Sequence, residues 1–435
     1  MTPNDYFAGQ SEAGELGAAT FSDVALNMAS SRILVIAYAV RAQIEAGATV
    51  ANFTVGDFKP SQFQIPSEMK QYIQDALAAD QTNYPPAHGT PELRSALRTH
   101  YNEALGFDYP EDAFIVGSGA RPILYAAYRC LLNEGETVLT PAPSWNNKNF
   151  CQLVGAKHIN VPTRAEDGFM PTADALRPFI GDARLLVLCS PMNPAGTMMT
   201  PEAMAEISTM ILEENQRRKA EGKRLLYLIY DQVYRMLTFG DNRHVTPVGV
   251  APEMACYTLF TDAVSKGFAG TGLRVGWLAG PPFIAARIKA LMTHMGAWAP
   301  RPEQIGTARF LLQSDKIDAY LAAFKDGIRA RLNRLYDALQ RWKAEGLPVD
   351  VIPPQGAIYL SVRFDLEGRA GLKSEDDVLR YLLEEAGCAV VPFSAFGDTT
   401  NKGWVRFSVG AVSLDEIDAC LPRLHDALKR ALQAD

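Results

Sequence analysis

Short apolar and β-branched runs alternate with longer, helix-like stretches between about residues 60 and 300. Seven of these runs predict strands, at residues 113–119, 137–143, 157–162, 184–191, 225–231, 257–264 and 275–280. Several are continuously apolar, which is typical of strands that helices cover on both faces. Two helical stretches open with an N-cap residue followed by proline, at Thr90 and at Thr200. This alternation predicts an α/β fold, with a mostly parallel seven-stranded sheet between two layers of helices.

The pattern changes after residue 310. Residues 315–346 have apolar positions at helical spacing, and strand-like runs follow at 357–364, 388–393 and 404–410. A last helix is predicted to open at a capping box formed by Ser413 and Glu416. These elements predict a smaller α+β domain, which a helix and a strand within residues 22–55 are expected to join. We therefore expect an N-terminal arm (1–21), a first part of the small domain (22–58), a large domain (59–325) and the rest of the small domain (326–435).

The composition is that of an ordinary globular protein: the chain has 435 residues, of which 48% are hydrophobic and 21% charged. The net charge is −7 and no dense Lys/Arg tract occurs, which argues against nucleic acid or a membrane surface as a partner. No apolar run reaches the roughly 20 residues of a membrane-spanning helix, and the acidic N-terminus is unlike a signal peptide. The six cysteines form no CxxC pair, so we expect free thiols, no metal site and a cytoplasmic protein.

The stretch TDAVSKGFAGTGLRVGW (261–277) places Lys266 among glycines and eight residues before Arg274. A lone lysine after a strand is usually a solvated surface residue. An amine that forms a Schiff base must instead be accessible and lie beside an anion-stabilised cofactor. The glycines would let the backbone approach such a ligand, and Arg274 could bind its phosphate with a planar guanidinium. This pattern makes Lys266 a candidate for covalent chemistry.

A second candidate is GSGARP (117–122), which follows a predicted strand and opens a predicted helix. The backbone N–H groups and the dipole at the start of such a helix favour an anion. A GxG pair also opens dinucleotide sites, but the last glycine of GxGxxG is missing here. We therefore interpret the segment as a site for a single phosphate group rather than for a nicotinamide cofactor.

Two further polar segments end predicted strands, SPMNPAG (190–196) and YDQVY (230–234). Asn193, before a proline, is by default a turn residue. Asp231 could be an exposed turn carboxylate, but ligands bind at the carboxyl ends of the strands in open α/β sheets. A carboxylate buried at that point needs a positive partner, which a protonated pyridine nitrogen would supply.

Taken in order, these segments resemble the class I/II aminotransferases of the fold-type I pyridoxal-5′-phosphate (PLP) enzymes, over most of the chain from about residue 22. The resemblance is carried by TVGDF (54–58), TNYPPAHGTPELR (82–94), GSGA (117–120), PAPSWNN (141–147), NPAG (193–196), YDQVY (230–234), SKGFAGTGLRVGW (265–277), PPQGAIYL (353–360) and VRFSVG (405–410). It implies the fold-type I architecture, PLP as cofactor, and transfer of an amino group between an L-amino acid and a 2-oxo acid.

The resemblance also implies roles for individual residues. Lys266 would hold the cofactor as a Schiff base and transfer the substrate proton, and Asp231 would keep the pyridine nitrogen protonated. The other implied contacts are with the ring O3′ (Tyr234 and Asn193), the ring face (Trp145), the phosphate (Ser118, Gly119, Ala120, Arg274, and Tyr84 from a neighbouring subunit) and the substrate (Gly56, Trp145, Asn193 and Arg406). Arg406 would bind the α-carboxylate, a bidentate task suited to arginine. The position of Tyr84 implies a homodimer with shared sites.

One position departs from the family pattern. Many relatives have a hydroxyl residue three before the lysine, where it touches the phosphate, and this chain has Ala263 there. We expect an altered phosphate site that uses Thr261 or a water molecule instead.

Three other functions fit parts of the same evidence. The same scaffold also serves PLP-dependent decarboxylases and β- or γ-lyases, which Lys266, Asp231 and Arg406 alone do not distinguish from aminotransferases. A non-catalytic sensor of PLP or an amino acid would carry a winged-helix domain, for which about 20 residues before the first family-like segment are too few. A nicotinamide dehydrogenase rests on GSG alone.

The amino donor is less well determined than the reaction. Asn-Pro-Ala-Gly and Ser-Trp-Asn-Asn favour an aspartate/2-oxoglutarate type, in which an arginine of the partner subunit pairs with the distal carboxylate. Arg301 and His294 lie in the corresponding region, but no motif assigns either of them, and aromatic or other donors stay open.

Overall fold

The structure is a computed structural model that describes residues 20–28 and 32–433. Most of the predicted N-terminal arm, residues 1–19, lies outside this range. Its α-helices are α1 Asp23–Asn27, α2 Arg32–Glu45, α3 Ser67–Ala78, α4 Pro91–Leu105, α5 Ala120–Leu131, α6 Asn147–Val154, α7 Ala173–Ile180, α8 Pro201–Ala220, α9 Pro247–Val250, α10 Val264–Gly267, α11 Pro282–Met295, α12 Arg301–Leu311, α13 Ser314–Ala344, α14 Glu375–Ala386 and α15 Leu414–Gln433. Short 3₁₀ turns cover Glu111–Ala113, Ala165–Asp167, Pro252–Cys256, Thr271–Leu273 and Phe393–Phe396.

The strands are β1 Ala51–Asn52, β2 Phe114–Ser118, β3 Thr137–Ala142, β4 Lys157–Pro162, β5 Ala183–Cys189, β6 Tyr227–Asp231, β7 Thr258–Ala263, β8 Val275–Ala279, β9 Val349–Val351, β10 Tyr359–Phe364, β11 Cys388–Ala389, β12 Val391–Pro392 and β13 Trp404–Ser408. Seven of them form one sheet in the order β2-β8-β7-β6-β5-β3-β4, in which β8 pairs antiparallel with both of its neighbours and the other pairs are parallel. The predicted fold class is confirmed, because each of the seven runs forms one of these strands.

The large sheet separates two apolar cores. Leu185 and Val187 of β5 pack into one core, and Leu186 and Leu188 into the other. Side chains of a strand alternate between its faces, so a continuously apolar run is needed where both faces are covered. This explains why the sequence of β5 does not alternate between apolar and polar residues.

A third apolar core lies around a four-stranded antiparallel sheet in the order β12-β13-β10-β9. The prediction of one strand over 388–393 is wrong, because the segment changes partner at Val390: β11 pairs with β1, and β12 pairs with β13. β1 itself has only two residues. Helix α13 runs without interruption across the predicted domain boundary at 325/326, and the boundaries stay a prediction.

The predicted helix starts form as local hydrogen bonds. The hydroxyls of Thr90 and Thr200 accept from the backbone N–H three residues on. Ser413 and Glu416 make the reciprocal capping box, because each side chain accepts from the other residue's N–H, at 2.7 and 3.1 Å. All six cysteines are free thiols, although Cys256 is exposed and only three of the six are fully buried. Within the described ranges, no helix is long and apolar enough to span a membrane.

Candidate active site

The carboxyl ends of the central strands bring three polar side chains together. Asp231 ends β6 and pairs in register with Cys189 of β5 and Thr261 of β7. The Asp231 carboxylate accepts a hydrogen bond from the Val233 N–H at 3.2 Å, and burial raises its pKa to about 7. No Lys, Arg or His within the described chain forms an ion pair with it. Asp231 is thus a partly buried carboxylate without a cation among the described residues.

Lys266 lies in the four-residue helix α10, directly after β7. Its Nζ donates to the backbone carbonyl of Gly56 and lies 5.8 Å from the ring centre of Phe58 and 6.0 Å from that of Tyr234. Burial lowers the pKa of this amine to about 8; Asp57 opposes the shift, and nearby arginines add to it. A lowered pKa makes the neutral, nucleophilic amine available close to neutral pH.

Gly119 and Arg274 meet at the start of α5 and form the candidate anion site. Gly119 is the residue before the helix, at φ 79°, and Arg274 has φ 56°. The Arg274 guanidinium donates to the carbonyls of Thr271 (2.7 Å) and Ser118 (3.1 Å). A Cβ on Gly119 would lie 2.2 Å from Nη2 of Arg274, so a side chain there would displace the guanidinium. Ala120 begins the helix, whose first N–H groups point at the same place.

The strand register separates Ala263 from Thr261. Ala263 pairs with Gly276, and a Cβ on Gly276 would touch the backbone of Gly119 and Ala120. Thr261 lies two residues further back, beside Asp231, and its buried hydroxyl has no partner among the described groups. Ala263 is therefore the residue next to the anion site, and Thr261 lies next to the carboxylate.

Arg406 is buried and lacks a counter-ion among the described residues. Only 2% of it is exposed. Its guanidinium donates to Oδ1 of Asn193 at 3.0 Å and to the Thr54 carbonyl at 2.7 Å, and it lies 4.7 Å from the ring centre of Tyr359. Its Nε is buried without a partner, and no carboxylate of the described residues pairs with it. Burial lowers the pKa of Arg406, which shows the cost of leaving this charge unpaired.

Tyr234 is buried next to Arg406. Its hydroxyl is 2.5 Å from the hydroxyl of Tyr359, and burial raises the pKa of both phenols. Gly56 lies on the other side of Arg406, where a Cβ would be 3.6 Å from Nη1. The structure thus gathers Gly56, Asn193, Tyr234, Lys266 and Arg406 in one place.

Trp145 and Tyr84 have less enclosed positions. Trp145 is half-buried, and the guanidinium of Arg121 lies 4.6 Å from its ring centre. Tyr84 is 83% exposed, with its ring edge against Trp298. It has no hydrogen bond or ring contact with the other predicted site residues in the described part of this chain.

Three residues at the site were not predicted: Asp57, Arg121 and Tyr359. All three lie inside segments that were recognised, TVGDF, GSGARP and PPQGAIYL, but their side-chain directions depend on tertiary contacts. Asp57 accepts from the hydroxyl of Thr271 at 2.7 Å and is the acidic group that acts on Lys266. A residue type within a motif could have identified them only as candidates.

Comparison with known proteins identifies the family to which the chain belongs. The sequence model of the family described as aminotransferase class I and II matches residues 48–424. The chain belongs to this family. It is 29% identical to a probable aspartate/prephenate aminotransferase of Rhizobium leguminosarum bv. phaseoli, over 84% of this chain and 90% of that relative.

Two solved structures of similar overall fold are also informative. The aspartate aminotransferase from Rhizobium meliloti superposes with a TM-score of 0.84 at 26% identity, over 94% of this chain and 99% of that one. The aromatic aminotransferase from Pyrococcus horikoshii OT3 superposes with a TM-score of 0.79 at 26% identity, over 90% and 99%. The protein is a PLP-dependent aminotransferase, and the fold-type I prediction is confirmed.

The residues present fit PLP. Arg274, Gly119 and the start of α5 offer a site for a phosphate, and Asp231 offers a partly buried carboxylate that lacks a cation among the described residues. Lys266, directly after β7, offers an amine that contacts the Gly56 carbonyl. A pyridine aldehyde phosphate carries a matching group for each of these three: a phosphate for Arg274, a ring nitrogen for Asp231 and an aldehyde for Lys266.

Proposed function

We propose that Lys266 is the catalytic amine and that Arg406 binds the α-carboxylate shared by the amino acid and the 2-oxo acid. The observation that carries this proposal is the buried guanidinium of Arg406, which has only neutral acceptors, Asn193 and Thr54. A buried charge of this kind is costly unless a ligand pairs with it. A substrate carboxylate bound there would lie close to Lys266, because Nζ of Lys266 donates to the Gly56 carbonyl and a Cβ on Gly56 would lie 3.6 Å from Nη1 of Arg406.

The chain's other groups have distinct tasks in this proposal. When bound, PLP supplies the electron sink that withdraws charge from the substrate α-carbon. Asp231 pairs with the protonated ring nitrogen, Asn193 and Tyr234 hydrogen-bond the ring oxygen, and Trp145 covers the ring face. Lys266 would hold the cofactor through its Nζ, and its neutral amine would carry the proton that leaves the substrate α-carbon.

We also propose that the enzyme is a homodimer in which Tyr84 completes the partner's phosphate site. A tyrosine that is 83% exposed and lies against Trp298 is available to a second chain. Gel filtration with light scattering should give a dimer, and Tyr84→Phe should weaken PLP binding without altering the dimer.

Aspartate with 2-oxoglutarate is our proposed substrate pair. The Rhizobium relatives that match the chain are an aspartate/prephenate and an aspartate aminotransferase. No described residue settles the distal carboxylate: Arg301 donates to Asn83 at 2.8 Å, and His294 lies exposed at the end of α11. A panel of donors, including aromatic ones, would test this choice.

The test of the reaction is direct. Purified enzyme should transfer the amino group of a donor to 2-oxoglutarate, and borohydride reduction followed by peptide mapping should place the pyridoxyl group on Lys266. Lys266→Ala should lose turnover, because it removes the covalent anchor and the proton carrier together. An adduct on another lysine would refute the assignment, and release of CO₂ or ammonia from the donor would indicate a decarboxylase or lyase.

A further inference from the structure

Three guanidinium groups surround Lys266, and the proposed function uses only two of them. Arg406, Arg121 and Arg274 each act on the pKa of the Lys266 amine. Arg406 is assigned to the substrate carboxylate and Arg274 to the cofactor phosphate. Arg121 is left over, although it lies in the GSGARP segment that forms the anion site.

Arg121 has no oppositely charged partner among the described residues. Its guanidinium lies against the ring of Trp145, and within the described ranges it forms no ion pair and no hydrogen bond. The side chain is exposed, so it is free to meet a ligand. A structural arginine would be expected to bind a carboxylate or backbone carbonyls, as Arg331 does with Val412 and Gly327.

The position of Arg121 favours a phosphate as its ligand. It is the second residue of α5, directly after Ala120, so it belongs to the helical turn whose N–H groups favour an anion. Partial burial and then the nearby Arg274 lower its pKa. Arg274 contacts Ser118 and Arg121 follows Ala120, so both positive charges belong to the start of α5, where a ligand with two negative charges would stabilise them more than a carboxylate would.

The sequence of β7 leaves room for this contact. Ala263, beside Gly276 and the anion site, offers no hydroxyl where many relatives have one. Thr261 does not replace it, because the register places Thr261 beside Asp231. The candidate anion site therefore gains no hydroxyl from Ala263 of β7, which β8 separates from β2, the strand that leads to Arg121.

We propose that Arg121 is a second arginine ligand of the cofactor phosphate and compensates for Ala263. It swings from the face of Trp145 to the phosphate, where it and Arg274 share the oxygens of the dianion. The inference rests on the bound cofactor and not on the choice of amino donor. Arg121 is thus a positioning residue that holds the ring in register with Lys266 and Asp231.

The experiment compares PLP with pyridoxal, which is the same ring without the phosphate, by titration of the apoenzyme. In Arg121→Gln the Kd for PLP should rise about tenfold to a hundredfold, since a charge-assisted hydrogen bond is lost, while the Kd for pyridoxal should not change. Arg121→Lys should recover part of the PLP affinity. Arg129→Gln, an exposed arginine of the same helix, is the matched control and should bind both compounds like the wild type.

Three results would overturn the proposal. An unchanged Kd for PLP in Arg121→Gln would mean that Arg121 does not touch the phosphate. Equal losses for PLP and pyridoxal would mean that it acts through the position of Trp145. A normal Kd for PLP with a raised KM for acidic donors alone would place it at the substrate side chain. None of these results depends on which reaction the loaded enzyme performs, and failure of the wild type to transfer amino groups would instead refute the proposed function.

Discussion

Two buried arginines near the cofactor site show opposite solutions to the same physical problem. Arg235, next to Tyr234, is 7% exposed; it donates to the Asp262 carboxylate and to Nε2 of His100, both at 2.6 Å. Arg406 is 2% exposed and has only an amide and a backbone carbonyl as acceptors. The fold gives Arg235 an oppositely charged partner, whereas Arg406 has only neutral partners among the described residues.

The difference separates a structural residue from a binding residue. Burial lowers the pKa of His100 to about 3, so this ring is neutral and accepts from Arg235. The Arg235–Asp262 pair ties the segment after β6, which carries Tyr234, to β7, the strand that precedes Lys266. Arg406 has no anionic partner among the described residues. In our proposal, its buried charge is stabilised only when an anionic ligand binds. The four predictions that follow test this contrast.

The largest effect is expected from Asp262→Ala. It leaves Arg235 charged and buried, which should lower the free energy of unfolding by about 3–5 kcal/mol, measured by urea denaturation of the apoenzyme. Asp418→Ala breaks the exposed pair with Arg334, whose side chains are 55% and 45% exposed, and should cost at most about 1 kcal/mol. If the two variants lost the same stability, the buried pair would not be the structural element described here.

Arg406→Ala should have the reverse profile. Loss of the bidentate contact should lower kcat/KM about tenfold to a hundredfold for every amino donor and oxo acid, and Lys should not restore it. The stability of the apoenzyme should not fall, because the variant removes an unpaired buried charge. PLP titration should be unchanged. A loss confined to acidic donors would move Arg406 to the side-chain pocket, and a loss of PLP would move it to the phosphate site.

The pH dependence of PLP capture by the apoenzyme should show the effect of the Arg406 charge on the pKa of Lys266. The neutral Lys266 amine attacks, so the rate should rise with pH, about tenfold per unit, and level off above the lowered pKa of about 8. Arg406→Gln removes a positive neighbour and should raise this pKa, so capture at pH 7 should slow. Stopped-flow absorbance measures both profiles, with Asp418→Ala as the control. A profile that does not move would show that Arg406 has no electrostatic effect on the amine.

The smallest effect is expected where polar groups hydrogen-bond to residues close by in the sequence. Ser413→Ala removes one half of the capping box of α15 and should cost about 1 kcal/mol in the free energy of unfolding, with kcat/KM unchanged. Glu416→Ala should cost a similar amount, and the double variant less than the sum, since the two bonds share one turn. Additive losses would show that the two contacts are independent.

The local pattern of the sequence was sufficient for the large domain. Each of the seven predicted runs became one of the seven strands, and the central ones are continuously apolar because helices cover both of their faces. The Thr90, Thr200 and Ser413 caps also formed as predicted, because a cap depends on three or four consecutive residues. The motif order was enough to identify the family, and with it the cofactor.

The tertiary structure decided what the local pattern could not. Val390 divides one predicted strand because its two halves pair with strands far apart in the chain. The register of β6 and β7 placed Thr261 beside Asp231, and the packing of distant segments left Arg406 and Arg121 without a carboxylate partner among the described residues. The sequence by itself determined which residues carry charge and which elements hold them. Whether a charge is paired depends on contacts between residues such as Asn193 and Arg406, 213 positions apart, which only folding brings together.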